Sequence, residues 1–309
     1  MQIAYAAWLF YLSVQILIMS IRNSNLKEKI MHHSTILVAT DFSEGYTTVL
    51  QKAIDLAFQK QAKLHIVHVV KTTFFKIKNL DYIKEHCWNN LLCHYPNISK
   101  EQFHCVEGNL DKVISIVAQT IHAEMIIIGD NRDKHPIEAI FLASDTKAII
   151  KESRIPVLVV KNYQPSETYK TVLIPTDLSD NSLKMVQNIV KLFPEAYLIL
   201  LHLYSVPFEF RLNMYGFNDD EITNFQEESR NNAEAELKNF MRQLNVPDQK
   251  MIPVVRKDFL SSEHFESNHK DLKADLIAIH TTGYISFFAF DLLEKTQNDV
   301  LIFNVVESA

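Results

Sequence analysis

Glycine is scarce in this chain of 309 residues: the five stand at positions 45, 108, 129, 216 and 283, and no two lie within 20 positions of each other. Loops of the P-loop or dinucleotide type need two glycines close together, so that backbone amides can approach phosphate oxygens without an intervening Cβ. Both loops are excluded. Positive charge is also in short supply. With 31 Lys and Arg against 37 Asp and Glu, the net charge of -6 offers no general attraction to phosphate backbones or anionic lipid. No basic cluster interleaved with aromatics stands out, and nucleic acid is not an expected partner. The three cysteines, Cys87, Cys93 and Cys105, are an odd number confined to the first half of the chain, which argues against a secreted disulfide framework and for a reducing cytoplasm. Neither a nucleophile-elbow serine nor a His-Glu-x-x-His segment occurs.

What the chain does have is a duplication. Thr35-Ile-Leu-Val-Ala-Thr-Asp41-Phe-Ser43 recurs as Thr171-Val-Leu-Ile-Pro-Thr-Asp177-Leu-Ser179, 136 positions later. Landmarks downstream repeat in the same order. An apolar strand with a histidine near its end comes first (His68, then His202), an acidic residue opening another apolar strand follows (Glu124, then Asp275), and a final strand closes each copy (Val157 to Val160, then Val300 to Phe303). Each copy has the length of one small domain, and 47% hydrophobic residues suffice for two cores without metal or disulfide.

Within the first copy, near-continuous apolar strands alternate with helical patterns, such as Val49, Leu50, Ala53, Ile54 and Ala57 or Leu80, Ile83, Cys87 and Leu91. Asn109 is a candidate cap for the next helix. The order β-α-β-α-β-α-β-α-β predicts an α/β fold with a doubly wound, five-stranded parallel sheet in each copy. The expected organisation is an apolar N-terminal segment over 1–30, a domain over 31–162, a linker over 163–170 and a second domain over 171–309. In that second domain the helix near Ser261 to Leu272 is weakly patterned. Ile3 to Ile21 holds no charge and approaches the length of a membrane span, with Arg22, Lys27 and Lys29 on its far side. Three readings follow: synthesis beginning at Met31, an anchor at residues 1–22 that leaves the domains facing the cytoplasm, or a cleaved signal.

Ligands of open α/β sheets bind beyond the carboxyl ends of the strands, and Asp41 and Asp177 both stand at such ends. A carboxylate there can accept hydrogen bonds from ribose hydroxyls or an amino group; alternatively each Asp-x-Ser simply starts a helix. His86-Cys87, Cys93-His94 and His104-Cys105 place soft ligands in the first copy, but their spacing is that of no zinc finger, and buried structural cysteines are the preferred reading.

The Ile-Leu-Val-Ala-Thr-Asp41-Phe-Ser-Glu segment, the Val106-Glu-Gly108-Asn turn, and Ile-Ile-Ile-Gly129 followed by Leu142-Ala-Ser144 and Ile155-Pro-Val-Leu-Val-Val160 resemble the universal stress protein family in its tandem form. The resemblance covers about Ser34 to Val306. It implies an adenine-nucleotide-hydrolase-like α/β domain that, in one branch, binds ATP through the aspartate after the first strand and a Gly-x2-Gly-x9-Gly-Ser/Thr loop after the fourth. It also implies that the closing strands pair across a dimer axis, here an internal pseudo-dimer of the two copies. This chain departs from the loop pattern. Arg132 stands at the second glycine, Ala143-Ser144 replaces Gly-Ser with one extra residue before it, and His280 replaces the first glycine of the second copy. From Gly129 to Val157 is 28 positions, whereas from His280 to Val300 is 20, so the second phosphate loop and the start of its helix are shortened.

Asp41, Gly129, Arg132, Ala143 and Ser144 are therefore the candidate nucleotide residues, with Asp177 a weaker counterpart. The expectation is a stress-response binding or regulatory module, not an enzyme, with a vestigial nucleotide site in the first copy. Two alternatives stand beside it: a genuine ATP binder with slow hydrolysis, and a binder of another small ligand in the second crevice, near Tyr284, Phe287 and Phe288.

Overall fold

The computed structural model describes residues 34–42, 46–71, 79–130, 136–161, 168–244, 246, 250–282 and 285–304, with backbone alone for 136–143 and 285–287. The segment 1–30, the start Met31, most of the linker, Ser43, Arg132, Gly283 and Tyr284 lie outside the described residues. No helix among the described residues is long and apolar enough to cross a membrane.

The first copy consists of β1 (Thr35–Ala39), α1 (Tyr46–Lys60), β2 (Lys63–Lys71), α2 (Leu80–His94), β3 (Phe103–Gly108), α3 (Leu110–Thr120), β4 (Met125–Gly129), α4 (Pro136–Glu152) and β5 (Val157–Val160). The second has β6 (Thr171–Thr176), α5 (Asp180–Leu192), β7 (Tyr197–Tyr204), α6 (Asp219–Gln243), β8 (Met251–Lys257), α7 (Phe265–Asn268), β9 (Leu276–His280), α8 (Ile285–Lys295) and β10 (Asp299–Phe303). All ten strands form one sheet in the order β3-β2-β1-β4-β5-β10-β9-β6-β7-β8. Within each copy neighbouring strands are parallel. This is the doubly wound plan that the alternating pattern predicts.

The strands are uniformly apolar because both faces are covered. Ile36 and Val38 belong to one buried cluster and Leu37 to the other; Leu158 and Val160 likewise alternate with Val157 and Val159. Each fully buried aliphatic side chain contributes about 1.5–3 kcal/mol. Helix α1 buries Leu50, Ala53, Leu56 and Ala57, a stripe at helical spacing. Asn79 caps α2 by accepting from the Tyr82 amide at 3.0 Å. Asn109 occupies the cap position of α3 but makes no side-chain capping bond. Proline is unusual inside a central strand, yet Pro175 is tolerated in β6 because pairing with β9 is confined to Val172 and Leu173.

The copies join where β5 and β10 pair antiparallel, through Val159 with Val300, Leu158 with Leu301 and Val157 with Ile302. A polar seam accompanies the pairing. Asp299, 5% exposed, accepts from the Lys161 amide at 2.7 Å and the Tyr169 hydroxyl at 2.5 Å, and Lys52 lies 3.9 Å away. Asn304 donates to the carbonyls of Lys151 and Ser153 at 2.8 and 3.1 Å.

The second copy departs from the first in two places. Its expected third helix is reduced to the four residues of α7 and a single 3-10 turn over Lys270–Leu272. The shortening after β9 falls mainly in the helix, since α8 has 11 residues where α4 has 17.

Candidate functional site

Both copies build the end of their first strand in the same way. Thr40 accepts from the Phe42 amide at 3.2 Å and Thr176 from the Leu178 amide at 3.0 Å, each side chain holding the backbone two residues on. Phe42 and Leu178 then adopt left-handed conformations, φ 54° and φ 60°. Such a conformation costs a residue with a Cβ about 1 kcal/mol or more, and recurs here directly after each aspartate. The repeated histidines of β2 and β7 complete the turn. His68 Nδ1 lies 2.9 Å from the Thr40 carbonyl and His202 Nδ1 3.4 Å from that of Thr176. A carbonyl only accepts, so Nδ1 carries the proton in both rings.

Strand order reverses between β1 and β4, and a cavity of about 240 Å³ opens there. Thr40, Asp41, Val49, Gly129 and Asp130 line it, together with Lys71, Asp145 and Lys161. Asp41 is exposed at the mouth. Gly129 is glycine for packing reasons: a Cβ there would lie 2.6 Å from Val49 Cγ2 on α1. Ser144 is exposed on α4, beside Asp145. The side chain of Ala143 falls outside the described residues.

Among the described residues two cations face this crevice, and both are engaged. Lys71 pairs with Asp145 at 2.5 Å, and Lys161 pairs with Asp130 at 3.0 Å while also donating to the Leu293 carbonyl of α8. These pairs are not equivalent. The Lys71 ammonium is half exposed, so its pairing is worth at most about 1 kcal/mol and an anion can recruit it. The Lys161 side chain is 1% exposed and held on two sides, and displacing it breaks a buried pair. Among the described residues that line the crevice, three aspartates stand against two lysines.

At the equivalent place in the second copy, His280 ends β9 and is wholly buried. Asp177 Oδ1 accepts from the Ser179 amide and hydroxyl at 3.1 and 2.6 Å and from the Ser182 hydroxyl at 2.8 Å. With its one proton committed to Asp177, Ser182 must accept from His280 Nε2, 3.1 Å away. Nδ1 is then the acceptor for the Thr282 hydroxyl at 2.8 Å, and Asn181 donates to that hydroxyl at 3.0 Å. Burial pushes the Asp177 carboxyl up, but the adjacent His280 ring and the hydrogen bonds from Ser179 and Ser182 outweigh it and hold the group well below the usual carboxylate range. Although Ser, His and Asp meet here, Ser182 is fully buried and directs its proton at the carboxylate, so it presents no nucleophile.

The sequence model of the universal stress protein family matches residues 32–161. The match covers the first copy and not the second. Over 142 residues it is 27% identical to universal stress protein A homolog 1 of Coxiella burnetii, a match covering 42% of this chain and 97% of that protein. Among solved structures, a universal stress protein of Archaeoglobus fulgidus superposes with a TM-score of 0.58 at 14% identity, covering 88% of this chain and 97% of the other. A functionally unknown protein of Pseudomonas aeruginosa does so with a TM-score of 0.58 at 15% identity, covering 88% and 93%. These matches over most of the chain show the shared fold.

The sequence pattern locates Asp41, Gly129 and Asp177 at their strand ends but misses Lys71, Asp130, Asp145 and Lys161. Their partners are set by tertiary contact, and no local motif marks them. Ser182 had a signal in the Asp177-x-Ser-x-x-Ser182 spacing, which turns both hydroxyls toward the carboxylate. Phe288 packs in the core, its ring 5.2 Å from that of Phe265. The side chain of Phe287 is outside the described residues. Cys87 and Cys105 are buried and Cys93 is exposed; no trio of metal-ligating side chains occurs among the described residues.

Proposed function

We propose that this protein is a stress-response binding and regulatory module of the cytoplasm, in which the first crevice retains weak nucleotide affinity and the second is closed to nucleotide. The observation that carries this reading is the asymmetry between the strand ends. Asp41 and Gly129 border an open crevice, whereas Asp177, though exposed, is engaged by Ser179 and Ser182 beside the wholly buried His280. In the first crevice Asp41 would receive ribose hydroxyls, the backbone after Gly129 would approach the phosphates, and Lys71 would be released from Asp145 to assist. Arg132, Ala143 and Ser144 complete the proposed set. The antiparallel β5–β10 pairing supports reading the two copies as an internal pseudo-dimer.

Weak binding follows from the sum of these features. Each missing charge-assisted hydrogen bond to phosphate removes about 1.5–3 kcal/mol, and Lys161 is committed elsewhere. Calorimetric titration with ATP should give a dissociation constant of about 1 mM or weaker, equivalent to about 4 kcal/mol. A low-micromolar constant abolished by Asp41→Ala would replace this reading with that of a genuine ATP-binding protein.

A further inference from the structure

Because the chain is a duplication, each copy is a control for the other: a feature present in one alone is not required by the fold. Between β2 and α2 the first copy has eight residues, whereas between β7 and α6 the second has fourteen, and α6 has 25 residues where α2 has 15. The extra chain is fixed in place. Val206 and Leu212 are buried, and the Glu209 carboxylate accepts from Gln226 of α6 and Lys257 of β8, both at 2.6 Å.

What this platform displays is apolar. Phe208, Phe210, Met214 and Tyr215 are 65%, 83%, 82% and 63% exposed, and Phe259, two residues beyond Lys257, is 72% exposed. The adjoining helix continues the surface, since α6 buries only Ala233, Leu237 and Phe240, all in its second half, and leaves Phe225 at the surface. Clusters of this kind on one face mark interaction sites, with aromatics and methionine the residues that interfaces favour.

The charge around it has one sign. Residues 205–234 hold seven acidic side chains against two basic, a net of -5, while the whole chain carries -6. Asp219, Asp220 and Glu221 in the first turn of α6 also suit the helix dipole, but Glu227 and Glu228 lie beyond its reach. We infer that the platform of residues 208–217, with the first half of α6, is a docking surface for a basic amphipathic helix of a partner protein. Its apolar face would lie on the aromatics and Met214, and its lysines or arginines would meet the acidic rim. A second copy of this chain, an anionic bilayer and a nucleic acid all bring charge of the wrong sign.

Fluorescence anisotropy tests this with a labelled synthetic helix of about 18 residues, leucine on one face and lysine on the other, titrated with the full-length protein. Saturable one-to-one binding is expected, with no binding of the counterpart in which glutamate replaces lysine. The triple substitution Phe210→Ser, Met214→Ser, Tyr215→Ser should weaken binding about tenfold or more and leave the melting temperature unchanged. Neutralising Asp219, Asp220, Glu227 and Glu228 to their amides should weaken binding and flatten its dependence on salt. Equal binding by the serine variant, or no binding at all, overturns the inference. So does a dimer in sedimentation, or adsorption to phosphatidylcholine vesicles, that the same serine substitutions abolish.

Discussion

The buried imidazole of His280 lies 3.6 Å from the Asp177 carboxylate, at the strand end where the first copy has Gly129 near Asp41. This position thus changes from the residue without a side chain to a ring with two polar nitrogens. The ring fills space from within and satisfies both of its nitrogens locally, on Ser182 and Thr282.

Replacing His280 by alanine should therefore destabilise the protein rather than open a binding site. It removes the donor to Ser182 and the acceptor for Thr282 from a buried network, at a cost of about 1–3 kcal/mol. Urea unfolding followed by circular dichroism should show this loss, and calorimetry with ATP should show no gain of binding.

Gly129→Ala tests the opposite strand end. The added methyl meets the stiff, β-branched Val49 at 2.6 Å, and relief of that overlap requires movement of α1. A loss of about 1–3 kcal/mol is expected. The double substitution with Val49→Ala should recover part of it, and a stable single variant would show that α1 yields readily.

Acid sensitivity should come from the histidine pair of β2 and β3. His65 Nδ1 lies 2.9 Å from His104 Nε2, and burial, then His104, then Lys63 push the His65 pKa down to about 4. A lowered histidine value means that the unfolded chain takes up the proton first. Stability is then complete above the ordinary value of about 6.5 and declines as pH falls from there toward about 4. His65→Gln should flatten melting temperature against pH across that window. Asp177 acts in a lower range: its depressed carboxyl contributes stability above the ordinary value of about 3.9 that is lost only in stronger acid. Asp177→Asn should remove that acid limb and leave the limb at higher pH intact.

The seam between the copies should be among the most protected parts of the chain. Amides of Leu158 to Val160 and Val300 to Ile302 are expected to exchange slowly, because these strands are central and fully buried. Asp299→Ala removes the carboxylate beside the buried Lys52 and the acceptor of the Lys161 amide and the Tyr169 hydroxyl, and should cost about 3–5 kcal/mol. Rapid exchange of these amides in the native protein would mean that the halves part readily.

The repeated strand-then-aspartate segment made the tandem plan legible, because a buried parallel strand has few alternatives to a short run of Ile, Leu and Val. The same run cannot say what lies across from it. Lys71 meets Asp145 from 74 positions away, and Ser182 meets His280 from 98, so the sequence shows His280 in the place of a glycine but not the hydroxyl that its ring meets. The weak pattern between Ser261 and Leu272 has a physical cause. Only Phe265 and His269 of that stretch are buried, too few to hold a helix longer than one turn.

The antiparallel meeting of β5 and β10 has a geometric consequence for traffic around the molecule. All strands of one copy point opposite to those of the other, so their carboxyl ends emerge on opposite rims of a single continuous plate. A small molecule arriving at Asp41 and a helix arriving at Phe210 would approach from different sides and never compete for room. Occupancy at one rim would reach the other through the plate itself, and Lys161, gripping Asp130 in one copy and the Leu293 carbonyl in the other, is one of the side chains that span the joint.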